Sequence, residues 1–279
     1  MLSSAYPTAT LMLHDLMEDN VLGRRTVGPD SSVQRAETVL EHPCPSCAVR
    51  LEIAPAIQNA REHGVEHLIL ALPPTLPAAA LVQALADLPR RSVMLNAVVL
   101  ACAPGSVEDQ VWDPHTLFES GYLVLPQDER TPGEFLMEEL AFTETVLLAD
   151  PELVPITPFE RARGVQLVQE LAPHARITDR GTDIEARTQH LKNRAGHSPR
   201  NGLNRAPSTP DSAFTTVVHH LHRPLHPQRF RHALHSLAPG CARLRGELWM
   251  APVPECRILL RGAGPRIWLK NVGPWASIL

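Results

Sequence analysis

Cys44 and Cys47 stand two residues apart in EHPCPSCAVRLEIAPAIQNAREHG, residues 41–64, where an apolar run ends and a helical pattern begins. Three readings fit this spacing. Two thiolates so placed can share one tetrahedral zinc ion. C-x-x-C is also the spacing of dithiol–disulfide exchange, since the start of a helix lowers the pKa of a thiol placed there. The third reading is two thiols near a turn that hold no ligand. Glu41 and His42 adjoin the pair, and each is either a further metal donor or a solvent-facing side chain.

Histidines 219, 220, 222, 226, 232 and 235 form a second concentration. A His-rich tract can bind zinc. His220 and His222 share a face if the chain is extended there, whereas His219 points to the other face. His232 and His235 lie one helical turn apart. These four, His220, His222, His232 and His235, are secondary metal candidates, and the alternative is a solvated surface in an arginine-rich helix. Cys102, Cys241 and Cys256 adjoin apolar runs and read as small core residues. Arg229, Arg231, Arg243 and Arg245 make the C-terminal part locally basic, which reads as a solvated face.

Elements must position these groups. The chain has 279 residues, 44% of them hydrophobic and 20% charged, enough for an ordinary core in one large or two modest domains. A formal net charge of −4 supplies no general attraction to nucleic acid or an anionic membrane. No apolar run reaches the ~18 residues of a membrane span. The start, MLSSAYPTATLMLHDL, lacks a charged segment ahead of its apolar patch, so no signal peptide is expected. Five cysteines in a chain of this length make no disulfide framework, and a reducing cytoplasm is the expected compartment.

Between residues 8 and 178, short apolar runs alternate with helical segments. TLMLH (10–14), HLILAL (67–72), SVMLNAVVLAC (92–102) and TVLLA (145–149) read as buried strands. Residues 77–88 carry Leu81, Leu85 and Leu88 at helical spacing. Thr131-Pro132 with Glu134, and Thr157-Pro158 with Glu160, each open a helix with a capping box and a first-turn proline. The pattern predicts an α/β fold, a mainly parallel sheet flanked by helices. Residues 180–212 hold no aromatic residue and few apolar ones, a composition that cannot offset its own ordering entropy and reads as a flexible linker. Beyond it FTTVVHHL, GELWMA, CRILLRG and RIWLK read as strands and HPQRFRHALHSL as a helix, together a small α+β domain. The expected organisation is residues 1–179, a linker at 180–212, and residues 213–279.

In this order the segments resemble the CobW family of P-loop GTPases, which are linked to metal insertion and metal homeostasis. The resemblance spans almost the whole chain. CPSCAVRLEI is similar to the family's C-x-C-C motif and following helix, with Cys44 and Cys47 at the outer cysteines and Ser46 at the middle one. DERTPGEFLMEELAFTETVLLADPEL resembles the helix and strand that lead to the guanine-reading N-K-x-D motif. RPLHPQRFRHAL, GELWMA and the closing GPW resemble the C-terminal domain.

The resemblance implies GTP and Mg²⁺ chemistry that these residues do not provide. No G-x-x-x-x-G-K-[ST] occurs, so the backbone cradle, the lysine and the hydroxyl for phosphate and Mg²⁺ are missing from the sequence. By the resemblance, residue 1 falls near the end of the family's first helix, either through truncation or because the natural start lies upstream. Losing the strand ahead of the phosphate loop would leave unpaired strand edges or an apolar groove. The E-T-x-G motif falls on Ala71-Leu-Pro-Pro74, where Ala71 has no carboxylate and Pro74 no N–H for a γ-phosphate. The guanine-reading motif falls on Ala149, Asp150 and Glu152, and Ala149 cannot hydrogen-bond a base. The expectation is therefore a degenerate, P-loop-derived member that binds Zn²⁺ or another divalent metal on Cys44, Cys47 and His42. It is expected to serve a metal-accepting client protein without effective GTP hydrolysis, and to bind neither nucleic acid nor membrane. The rival expectations are an active GTP-dependent metallochaperone with an upstream start and a non-catalytic scaffold or decaying paralogue. The sequence names no oligomeric state.

Overall fold

The computed structural model describes residues 2–42, 44–87, 93–122, 127–151, 153–185 and 212–275. After a short helix, α1 (Leu2–Ala5), the chain forms a meander of β1 (Thr10–Leu16), β2 (Val21–Val27) and β3 (Val33–Val39). It continues as α2 (Pro45–Ala48), a π-helical turn (Val49–Ile53) and α3 (Ala54–Glu62), then β4 (Leu68–Ala71) and α4 (Ala78–Ala86). Next come β5 (Val99–Cys102), α5 (Val107–Trp112), α6 (Pro132–Phe142), β6 (Thr145–Leu148), α7 (Pro158–Leu171) and β7 (Arg176–Thr178). The C-terminal unit holds α8 (Pro227–Leu237), β8 (Arg243–Trp249), β9 (Cys256–Ala263) and β10 (Arg266–Pro274).

The fold is α/β, with parallel strands flanked by helices and a C-terminal antiparallel sheet. β5, β6 and β7 pair in parallel in that order. A second sheet has the order β3-β2-β1-β4, with β1 parallel to β4 and antiparallel to β2. Among the described residues β4 pairs only with β1 and β5 only with β6, which leaves two strand edges without a ladder partner. The β2–β3 hairpin does not read as strand in the sequence. Its three arginines, Gln34 and Glu37 dilute the apolar alternation, and Leu22 is its one fully buried side chain. Its turn is built on Gly28-Pro29-Asp30, where the Asp30 carboxylate accepts the Ser32 N–H at 3.0 Å.

Both capping boxes form. Thr131 and Glu134 exchange side-chain-to-backbone hydrogen bonds, as do Thr157 and Glu160. The long apolar run at 92–102 yields a strand only over Val99–Cys102. FTTVVHHL makes no ladder. Its residues take no regular secondary structure and are mostly exposed, and β-branched composition without a neighbouring edge does not make a strand.

Two clusters fill the α/β unit. One gathers Leu22, Leu40, Val49, Ile53, Leu81 and Phe142, and the other Val107, Val111, Leu140, Val146 and Val168. Ala263 of β9 belongs to the second, so the C-terminal sheet packs on the α/β unit. The approach is close: at Gly264, φ +50°, an added Cβ would fall 2.0 Å from the Val111 carbonyl. The Arg243 guanidinium donates to the Leu171 carbonyl, and that of Arg163 lies 4.8 Å from the Phe214 ring centroid. The other sheet face packs on α8 through Phe230, Leu248, Met250 and Leu260.

Of the segment read as a linker, residues 186–211 lie outside the described residues. Its first residues pack: Ile184 is 8% exposed, and its carbonyl accepts the Tyr6 hydroxyl at 3.0 Å.

Candidate metal centre

Cys44 is the N-cap of a helical run that continues without a break from Pro45 to Glu62. Pro45 suits the first helical position because its missing N–H has no partner there anyway. The Cys47 backbone N–H donates to Cys44 Sγ at 3.3 Å, the thiol doing the work of a capping hydroxyl. Both cysteines are half-buried and free of disulfides.

The run is held from below and behind. Ala48, Val49, Ile53 and Ile57 are buried against Leu22 and Leu40. Glu52, in the π-helical turn, accepts the Thr38 hydroxyl at 2.8 Å and lies 3.3 Å from Arg24 Nη1. The hairpin that the sequence reading missed therefore braces the helix that carries both thiols.

The two thiols are electrostatically unequal. Burial pushes the Cys44 pKa up, but hydrogen bonds from the Cys47 thiol and from the N–H groups of Cys47 and Ser46 outweigh it and leave it below the usual thiol range. Cys47 moves the other way, chiefly because its thiol donates to Cys44 and would lose that bond on ionising. Cys44 is thus the sulfur that becomes an anion first.

His42 is exposed, and its carbonyl accepts the Cys44 N–H at 2.8 Å. Among the described residues no group of three or more His, Cys, Asp or Glu side chains is arranged to hold a metal. The donor set at this helix start is therefore two sulfurs, which suits a soft-tolerant divalent ion and leaves its remaining positions to water, a nearby side chain or a second protein. His220 and His222 are exposed on the irregular segment before α8, and His232 and His235 are exposed on α8. None of them joins a three-ligand group. Cys102 is buried at the end of β5 and its thiol is pushed up to about 11 by that burial, so it is a core residue. Cys241 donates to the Leu237 carbonyl at 3.1 Å.

The positions aligned with nucleotide motifs lie at strand ends. Ala71 closes β4, Pro74 follows it, and Thr75 takes a left-handed φ of 74° with its carbonyl bonded to Arg130 at 3.0 Å. Ala149 follows β6, its N–H bonded to the Cys102 carbonyl at 2.9 Å. Asp150 is held by Arg161, Nε to Oδ2 at 2.9 Å. Glu152 lies outside the described residues.

One buried polar side chain carries little sign in the sequence. His14 is 4% exposed, both ring nitrogens lack a hydrogen-bond partner, and burial, with Arg24 adding and Glu52 opposing, lowers its pKa to about 4. The alternation of TLMLHDL is its only sequence signal, putting His14 on the face of Thr10 and Met12.

Comparison with known proteins gives the chain a lineage. Residues 214–278 match the cobalamin synthesis protein cobW C-terminal domain. Over 98% of its length the chain is 26% identical to a protein of Mycobacterium tuberculosis (strain ATCC 25618 / H37Rv) named zinc chaperone Rv0106, covering 69% of it. A Mycobacterium bovis protein matches with the same identity and coverage. Among solved structures, Zn(II)-bound YjiA GTPase from E. coli aligns at 11% identity with a TM-score of 0.35, covering 92% of this chain and 74% of that one.

Proposed function

We propose that the chain, whose residues 214–278 match the cobW C-terminal domain, is a CobW-family metal-homeostasis protein that carries zinc on Cys44 and Cys47 and passes it to a client protein in the cytoplasm. The observation that carries the reading is the pair itself. Two half-buried sulfurs stand one helical turn apart on a braced helix, with no third protein ligand arranged beside them among the described residues. A site closed by four protein ligands is structural, whereas two sulfurs can take an ion and still leave room for the acceptor's own ligands. The name of the mycobacterial relative, a zinc chaperone, supports zinc over cobalt as the cargo.

GTP hydrolysis is outside this reading. Ala149 offers no side-chain hydrogen bond to guanine, Pro74 no N–H to a phosphate, and Asp150 is engaged by Arg161. His42 stands beside the pair as an auxiliary donor that swings in when metal is bound. No helix among the described residues is long and apolar enough to cross a membrane.

The test is a zinc titration of the reduced protein against a chromophoric chelator. One zinc per chain is expected. Cys44→Ser or Cys47→Ser removes it, and His42→Ala weakens it about tenfold or less, as for an auxiliary group at a metal site. Undiminished zinc uptake by the double Cys44→Ser, Cys47→Ser variant overturns the reading.

A further inference from the structure

We propose that Cys44 and Cys47 also carry out thiol–disulfide exchange, with a low-molecular-weight disulfide as the oxidising partner. The consequence for metal traffic rests on the zinc reading above, and the exchange chemistry itself does not.

The geometry favours the pair over every other cysteine in the chain. Cys44 and Cys47 lie at N-cap and third-residue positions of one helical turn, close enough for the Cys47 N–H to reach Cys44 Sγ at 3.3 Å. Side chains three apart on a helix are neighbours, with Cβ separations near ~5–6 Å. A disulfide needs ~3.5–4.5 Å, and the first residue of this pair is an N-cap with extended φ/ψ, so a small rotation there closes the gap. Both side chains are partly exposed, so a small disulfide can reach them. Cys102 is buried, Cys241 lies in the connection between α8 and β8, and Cys256 opens β9, each far along the chain from this pair. Among the described residues no group of three or more His, Cys, Asp or Glu side chains forms around the two sulfurs.

The reaction balances without a further reagent. The Cys44 thiolate attacks one sulfur of R–S–S–R. The reagent's S–S bond breaks, and RS⁻ leaves and takes up the proton that Cys44 gave up. The Cys47 thiolate then attacks Cys44 Sγ in the mixed disulfide, forms the Cys44–Cys47 bond and expels the second RS⁻, which takes the Cys47 proton. Two protein thiols are oxidised by two electrons and one reagent disulfide is reduced to two thiols. The oxidised pair has no thiolate left to hold zinc, so oxidation releases the ion and reduction restores the site.

The experiment equilibrates the full chain in glutathione/glutathione disulfide buffers, blocks free thiols and maps the products by mass spectrometry. Zinc uptake is measured on the same samples before and after dithiothreitol. An intramolecular Cys44–Cys47 disulfide is expected. Its formation should track a loss of zinc uptake to the level of the double serine variant, at least tenfold, restored by the reductant. The Cys47→Ser variant should stop at a glutathione adduct on Cys44. Glutathione adducts alone in the natural sequence, or no product at either residue, overturn the proposal even if the reduced protein takes up zinc. A Cys44–Cys47 disulfide in a protein whose reduced form takes up no zinc supports the exchange chemistry and overturns the metal reading instead.

Discussion

At the residue scale, the behaviour of the site follows from which sulfur ionises first. On the proposed reading zinc requires thiolates, so its uptake should weaken as pH falls. Cys44 sits below the usual thiol range and Cys47 above it, so the loss on acidification should be governed by Cys47. Two buried groups outside the site set opposite pH trends in stability. The His14 pKa falls to about 4 in the folded state, so the unfolded chain binds the proton more tightly and folding weakens as pH drops from about 6.5 towards 4. Replacing His14 with Met should make the protein relatively more stable at pH 5 than at pH 7, by about 2 kcal/mol, in urea unfolding at the two pH values. Glu139, 9% exposed, is raised to about 7 by burial, with the Ala78 N–H pulling down and Glu138 pushing up. A raised carboxyl is most favourable when protonated, and its contribution is lost as pH climbs from 4.5 through 7. Glu139→Gln should therefore gain about 2 kcal/mol over the natural protein between pH 5 and pH 8. The C-x-x-C pair was legible because residue type and spacing state the chemistry directly. His14 was not, because an alternating strand pattern says which face a residue takes but not that no partner waits there.

At the element scale, capping and close approach carry the architecture. The two Thr-Pro-x-Glu boxes were readable from four residues each, because the hydrogen bonds they make are local. Thr131→Ala, at a buried cap, should cost about 1 kcal/mol of stability, measured by chemical denaturation. Gly164 was not readable in the same way. A Cβ there would fall 1.8 Å from the Pro104 carbonyl, a long-range contact with no local sequence sign. Gly164→Ala must push α7 away from residue 104, with an expected cost of about 3 kcal/mol or more, visible as a large fall in Tm. The β2–β3 hairpin escaped the sequence reading for a related reason. Half its residues are polar because one of its faces meets solvent, while Arg24 and Thr38 hold Glu52 of the helical run that carries the cysteines. Such tertiary service leaves no periodic mark, whereas β4, β6 and β9 are apolar enough to be read directly.

At the scale of the whole molecule, the α/β unit and the C-terminal sheet share one core cluster through Ala263, so the parts act together rather than as beads. The order of elements was legible because each apolar run is short and its turns are marked by Pro and Gly. The number of strands in each sheet was not, since pairing depends on which edges meet. Two functions compete at this scale, nucleotide-driven and nucleotide-independent metal delivery. Titration with a fluorescent GTP analogue and Mg²⁺ separates them. No binding at micromolar nucleotide is expected of the 279-residue chain, and tight binding competed by GTP but not ATP would show that nucleotide drives it. The most direct test of the central claim is cobalt substitution of the reduced protein, read by visible absorption. The account predicts a thiolate-to-cobalt charge-transfer band at one equivalent that disappears in the double Cys44→Ser, Cys47→Ser variant. A band that survives the double change, or no band in the natural sequence, contradicts it.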